Sequence, residues 1–132
     1  MPMGPGIGAV AGFAIVKWGG YTLAGRTFNY LNGTARPTPV VFGVARTALG
    51  ILAGVSYAYV ALGLGLERSS LTWYLDLLPV RIGEWSLVLW LFYRHSTRRR
   101  LRDAAVASVW SYVLDIPAVA VAFMIPGGFW IC

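Results

Sequence analysis

The sequence predicts an all-α integral membrane protein, a bundle of four transmembrane helices in a single transmembrane domain, residues 1–132. Of its 132 residues, 58% are hydrophobic and only 12% are charged. Ordinary soluble domains are about 45–50% apolar and about 25% charged. A soluble core of this length would leave too much apolar surface in water. The apolar residues also fall into four segments, each long enough to cross a bilayer core of about 30 Å as a helix.

Breaks between the apolar segments set the predicted helix boundaries. A polar turn rich in glycine and proline, residues 32–39, follows the first segment. Polar residues 65–70 close the second segment, and an arginine-rich stretch, residues 94–103, follows the third as a predicted loop. Pro126 ends the fourth segment. The predicted helices cover residues 7–26, 40–64, 71–93 and 104–125.

Loop charge predicts the orientation of these helices. With four spans, the first and third connections lie on one side, and the second connection and both termini lie on the other. The second side carries only Arg68. The first side carries seven arginines, Arg26, Arg36, Arg94, Arg98, Arg99, Arg100 and Arg102. Because cytoplasmic loops carry the excess of basic residues, both termini are predicted to lie outside, in the cytoplasmic (inner) membrane of a prokaryote.

Six ionisable residues fall inside the predicted spans: Lys17, Arg46, Asp76, Arg81, Glu84 and Asp115. Each costs about 2.5–3.5 kcal/mol at membrane depth, so such groups pair or face a wet cavity. Arg81 and Glu84 lie three residues apart on one helix face and can pair. Asp115 lies level with Lys17 and Arg81, near the predicted midplane, and is expected to pair with one of them across helices. Arg46 can instead extend toward the cytoplasmic headgroups.

Proline and polar residues accompany these charges on the third and fourth helices. Pro79 and Pro117 predict kinks, because each removes a helical hydrogen bond. On the fourth helix, Ser108, Ser111, Tyr112 and Asp115 form a polar stripe. Kinked helices with polar groups build the midplane sites of transporters. Purely structural bundles also contain them, and buried ion pairs can fix helix register without any chemistry, so both interpretations stay open.

Small residues recur on one face of the first two helices. They are Gly8 and Gly12 on the first helix, and Gly43, Thr47, Gly50 and Gly54 on the second. Small residues at this spacing let helix backbones approach closely in lipid. The pattern predicts helix packing, either within one bundle or across a dimer interface.

The formal net charge of +6 is concentrated in one arginine cluster, which argues against nucleic acid as a partner. The cluster comprises Arg94, Arg98, Arg99, Arg100 and Arg102. Such a cluster next to a span predicts contact with anionic lipid headgroups at the cytoplasmic face, with a role in topology alone as the alternative. One Cys and one His cannot supply a zinc, haem or iron–sulfur ligand set. No metal and no cofactor is therefore predicted.

Three functions fit this sequence. The first is an ion- or proton-linked transporter or channel, built as a homo-oligomer because one short chain is small for a transport path, with Glu84 and Asp115 as the responsive groups. The second is a non-catalytic subunit or assembly factor of a larger membrane complex. A lipid-active enzyme is least favoured, because the sequence shows no nucleophile, metal set or paired carboxylates. The sequence names no catalytic residue.

Overall fold

The computed structural model describes residues 6–65, 70–93 and 96–125, and within these ranges the regular structure is helical, with no strands. The described residues form four helices in chain order: α1 (Ile7–Asn32), α2 (Pro39–Gly63), α3 (Ser70–Phe92) and α4 (Thr97–Met124). The all-α class predicted from the sequence is therefore confirmed.

Three of these helices are long and apolar enough to cross a membrane, among the residues that the structure describes: Ile7–Asn32, Pro39–Ala61 and Thr97–Met124. Only 17% of the most apolar stretch of α1, and the same share in α2, is buried inside the chain. Large aliphatic side chains instead face outward, with Leu52 66% and Ile116 74% exposed. A soluble monomer rarely exposes such extensive apolar surface, so this is a membrane protein.

Helix α3 differs from the other three helices in its charge. Every stretch of 18 residues within Ser70–Phe92 contains the three charged residues Asp76, Arg81 and Glu84, whereas each of the other helices includes an apolar stretch of that length with at most two charges. Pro79 lies inside α3, and Pro117 lies inside α4. Both helices continue through their prolines.

Helix α1 continues past its predicted end at residue 26 and stops at a glycine. Gly33 adopts the left-handed conformation, with φ 59° and ψ 33°, and its N–H donates to the Tyr30 carbonyl at 3.2 Å. The N–H of Thr34 donates to the Asn29 carbonyl at 3.0 Å. Glycine adopts this conformation without a Cβ clash, and the two bonds satisfy carbonyls at the helix end. The helix therefore ends where its sequence provides a cap, well beyond Arg26.

Helix α4 begins at Thr97, which corrects the loop predicted over residues 94–103. The N–H of Arg100 already donates to the Ser96 carbonyl at 2.9 Å. Arginine and leucine are good helix formers, so residues that would leave the membrane because of their charge still continue a helix. The loop prediction was wrong here because charge determines the side of the membrane and not the backbone conformation.

Packing divides the chain into two units. The first combines Met1–Val44 with Trp110–Cys132, and the second is Ala45–Val109. In the first unit, the fully buried Phe42 lies against Gly25, and its ring centroid is 6.1 Å from that of Phe28. In the second unit, Trp85 and Leu89 of α3 are fully buried. Each unit therefore has its own buried aromatic residue.

The predicted helix-packing residues fall into two groups. A Cβ at Gly12 would lie 2.6 Å from Ile125 Cδ1, and Gly8 also faces Ile125. A Cβ at Gly43 would meet the Thr22 backbone nitrogen at 2.9 Å. These three glycines thus pack against other helices of the same chain. Beyond them, Thr47 is half-buried, Gly50 meets only Arg46 of its own helix, and Gly54 meets no described atom within 4 Å.

Gly43→Ala is expected to lower the free energy of unfolding relative to Gly54→Ala by about 1–3 kcal/mol, the usual cost of overpacking. The added methyl at Gly43 meets backbone atoms, including the Trp18 carbonyl at 3.0 Å, which cannot rotate away as a flexible side chain can. Gly54→Ala is the matched control, because it makes the same change on the same helix in open space. Unfolding in detergent measures the difference, and equal stability of the two variants would contradict close packing at Gly43.

Candidate functional site

Two of the predicted membrane charges meet in the first unit. Lys17 of α1 forms an ion pair with Asp115 of α4, through Nζ and Oδ1. The two residues are 6% and 8% exposed. Of the two cations that the sequence offered for Asp115, the structure pairs it with Lys17. Because the partners lie 98 positions apart in the chain, this pair links two helices.

The Lys17 ammonium has three described acceptors. Besides Asp115, Nζ donates to the Ser111 carbonyl at 3.2 Å and to Tyr21 Oη at 3.4 Å. Tyr21 Oη in turn donates to Ser111 Oγ at 3.3 Å. An ammonium group has three N–H donors. The surroundings of Lys17 therefore provide one acceptor for each of its protons.

Two aromatic rings complete the surroundings of the ammonium. Nζ lies 5.5 Å from the ring centroid of Phe13 and 5.5 Å from that of Tyr21. The distance to Phe13 falls within the roughly 6 Å at which a ring face attracts a cation, whereas Tyr21 meets the ammonium through its hydroxyl. Neither of these two residues was among the site residues predicted from the sequence. The signal was present, because Phe13, Lys17 and Tyr21 are spaced four residues apart and so share one helix face.

A close contact between α1 and α4 brings the Ser111 carbonyl within reach of Lys17. A Cβ at Gly20 would lie 2.9 Å from Leu114 Cγ, so a larger residue there would displace the Leu114 side chain. The Gly20 carbonyl accepts a hydrogen bond from Trp110 Nε1 at 3.2 Å. Gly20 and Trp110 thus hold α4 against α1 one turn away from the ion pair, although the sequence placed neither of them in the polar site.

The second unit contains a second buried pair. Arg46 Nη2 of α2 lies 2.6 Å from Glu84 Oε2 of α3. Arg46 is 1% exposed, and its guanidinium carbon lies 4.9 Å from the centroid of the Trp85 ring. The side chain is therefore buried against α3, where the sequence had suggested an extension toward lipid headgroups. Glu84, for which the sequence offered Arg81 on the same helix, has an inter-helix partner.

The remaining predicted polar residues take other positions. Asp76 is exposed, and Arg81 and Tyr112 are half-buried. Ser108 is fully buried, and its Oγ donates to the Ala104 carbonyl of its own helix at 2.8 Å. Within the polar stripe predicted on α4, Ser111 and Asp115 therefore contact Lys17 directly, whereas the Ser108 hydroxyl bonds its own helix.

The described arginines of the basic cluster lie on the first turns of α4. Arg98, Arg99 and Arg102 are exposed, and Arg100 is half-buried. Asp103 accepts from Arg102 at 3.1 Å and lies 3.7 Å from Arg99 Nε. The first turn contains no acidic residue. Arg94 and Cys132 lie outside the described residues.

No protein-family model, curated protein or solved structure matches this chain. Within residues 6–65, 70–93 and 96–125, no group of three or more His, Cys, Asp or Glu residues is arranged to hold a metal ion.

The arrangement can exchange a cation at a buried carboxylate. Asp115 is acceptor-only when ionised, and it holds Lys17 by charge. A proton on Asp115 removes that charge and leaves Lys17 with the Ser111 carbonyl and Tyr21 hydroxyl, which are neutral acceptors. A competing cation at Asp115 has the same effect. Either event changes the link between α1 and α4.

Proposed function

We propose that this protein is an ion- or proton-linked transporter or channel in which Asp115 is the cation-responsive carboxylate. The observation that carries the proposal is the Lys17–Asp115 pair, which is nearly fully buried and links two helices that are long and apolar enough to span a membrane. Intramembrane ionisable residues mark ion pathways and proton relays by default.

Loss of the pair supplies the energetic difference that a conformational change needs. A ligand shifts a conformational equilibrium only by its differential interaction with the two states. Protonation of Asp115, or its occupation by a cation, weakens the contact with Lys17 and so favours a packing of α4 that does without it. Pro117, two residues later, lacks the N–H that would lock the helix there. We propose that α4 bends at Pro117, and α3 at Pro79.

The proposal includes α3 as a fourth span, with both termini on the non-cytoplasmic side. The 23 residues of α3 span about 34 Å as a helix, at about 1.5 Å per residue. The Glu84 charge, which would otherwise oppose insertion, is neutralised by Arg46. A single chain offers little room for a transport path, so a homo-oligomer is part of the proposal.

Anionic lipid headgroups at the cytoplasmic face are proposed as the partners of the basic cluster. A helix N-terminus favours anions and disfavours cations. The arginines at the start of α4 therefore do not stabilise the helix through its dipole, and no acidic residue in that turn offsets them. An anionic membrane surface would attract both the positive end of the helix dipole and the arginines. Each basic residue near such a surface contributes about 1 kcal/mol to binding.

A second candidate function, a non-catalytic subunit of a larger membrane complex, is favoured by the open face of α2. No described atom lies within 4 Å of a Cβ built at Gly54, and only the side chain of Arg46 approaches Gly50. Small residues on an open helix face allow a second helix to pack closely. The size and composition of the particle purified from native membranes separate the two candidates: foreign chains favour the subunit, and copies of this chain favour the transporter.

Flux measurements in protein-loaded liposomes test the transporter proposal. We expect proton or cation flux that depends on pH, because protonation of Asp115 alters its pairing with Lys17. Asp115→Asn should abolish the pH dependence while the protein remains folded.

Asp103→Asn is the matched control for the flux measurement. It makes the same chemical change on the same helix, at a carboxylate that pairs with the exposed Arg99 and Arg102. It should leave the pH dependence intact. Liposomes no leakier than empty ones under any imposed ion gradient or potential would contradict transport and favour the subunit.

A further inference from the structure

We propose that the Asp115 site is a receptor for a small primary ammonium cation, and that Lys17 is its tethered occupant in this structure. This inference rests on the proposed function, because it names the class of cation that the site exchanges. The receptor consists of the Asp115 carboxylate, the Ser111 carbonyl, the Tyr21 hydroxyl and the Phe13 ring.

The acceptors match one class of cation. Three oxygen atoms surround Nζ, one anionic and two neutral. A primary ammonium presents three N–H donors and uses all three. A quaternary ammonium has the charge but no N–H, and guanidinium presents its donors in a planar fork. The Phe13 ring adds attraction for any organic cation, so the three oxygens provide the selectivity.

Most of the site is independent of the Lys17 side chain. Asp115 and Ser111 belong to α4, and Phe13 and Tyr21 belong to α1, which Gly20 and Leu114 hold against α4 at a second contact. Lys17 adds only a flexible four-carbon chain that ends in a point charge. Truncation at Cβ therefore removes the occupant and leaves the site's own groups present.

The covalent structure of the lysine side chain shows which small cation can replace it. Beyond Cβ, lysine consists of three methylene carbons and the ammonium, which n-propylammonium reproduces atom for atom. In Lys17→Ala, n-propylammonium can place its nitrogen where Nζ lies and its carbons where the lysine stem lies. Lys17→Met is the matched control, because its uncharged side chain fills the volume of the stem and blocks the probe.

The experiment follows thermal unfolding of the full-length protein in detergent as n-propylammonium chloride is added, with tetramethylammonium chloride as the salt control. A ligand that binds the folded state raises the unfolding temperature in a saturable manner. For Lys17→Ala, we expect the unfolding temperature to rise half-way to its plateau at a concentration of n-propylammonium at least about tenfold lower than that of tetramethylammonium. Wild type, Lys17→Met and the double variant Lys17→Ala/Asp115→Asn should show no saturable rise over that range.

Three results would overturn the proposal. The first is an equal response of Lys17→Ala to both salts. The second is an undiminished response in the double variant. The third is failure to recover folded Lys17→Ala even with n-propylammonium present throughout purification. The unfolding measurement and the flux measurement test the two proposals separately. If n-propylammonium stabilises Lys17→Ala but liposomes show no flux, the ammonium site is retained and transport is rejected. If liposomes show flux but n-propylammonium does not stabilise Lys17→Ala, transport is retained and the ammonium site is rejected.

Discussion

Asp115→Asn is expected to lower the free energy of unfolding by about 3–5 kcal/mol, the usual cost of removing one partner of a buried ion pair. The substitution leaves the ammonium of Lys17 buried at 6% exposure without its counter-charge. The Ser111 carbonyl and the Tyr21 hydroxyl still accept from it, but neither carries a charge. Denaturant or thermal unfolding in a defined detergent measures the loss.

A double-mutant cycle with Lys17→Met shows whether the two residues act together. Removing both charges should cost less than the sum of the single losses, because no unpaired charge remains. Asp103→Asn is the control, since its carboxylate pairs with exposed arginines, and exposed pairs contribute about 0–1 kcal/mol. Additive losses in the Lys17–Asp115 cycle would show that the pair is not energetically coupled.

Glu84→Gln is expected to lower the free energy of unfolding by a similar amount, about 3–5 kcal/mol, because it removes the counter-charge of Arg46, the most deeply buried cation among the described residues. Arg46 is 1% exposed, with Nη2 2.6 Å from Glu84 Oε2. Arg46→Lys should also destabilise the protein, since lysine reproduces the charge but not the planar, multiply donating guanidinium that lies against Trp85. Unfolding of the two variants against wild type measures both effects.

Asp76→Asn is the matched control for the second pair. It neutralises an acid on the same helix as Glu84, but at an exposed position. Because Asp76 is exposed, its neutralisation leaves no buried counter-charge behind, and the loss of stability should be clearly smaller than for Glu84→Gln. If Asp76→Asn destabilises the protein as much as Glu84→Gln, loss of helix charge rather than the inter-helix pair is responsible.

The two buried ion pairs have the same arrangement. In each, the base lies on an earlier helix and the acid on a later one, Lys17 with Asp115 and Arg46 with Glu84. The first pair joins α1 to α4, and the second joins α2 to α3. Each pair belongs to a different unit of the chain. Both units therefore place an oppositely charged pair between helices, where burial makes its loss costly.

Much of the fold could be predicted from the sequence. Apolar segments of spanning length predicted four helices, because a backbone in lipid must satisfy its own hydrogen bonds. The interruptions by glycine, proline and charge located the connections. The predicted helix boundaries were wrong in two places. Helix α1 continues to its cap at Gly33, and α4 begins within the arginine cluster. Hydropathy marks where a segment can leave the membrane, and caps and propensity determine where a helix ends.

The sequence by itself determined that the chain is helical, that it belongs in a membrane, and that three bases and three acids share its predicted spans. Helical periodicity also aligned Phe13, Lys17 and Tyr21, since a helix repeats its face at a spacing of four. Only the tertiary structure decided which of these charged residues pair with each other. Which residues of two helices meet depends on their rotation and separation, and these depend on close contacts such as Gly20 with Leu114. Because no periodicity in one helix encodes its orientation toward another, the sequence left Lys17 and Arg81 as alternative partners of Asp115, and packing brought it to Lys17.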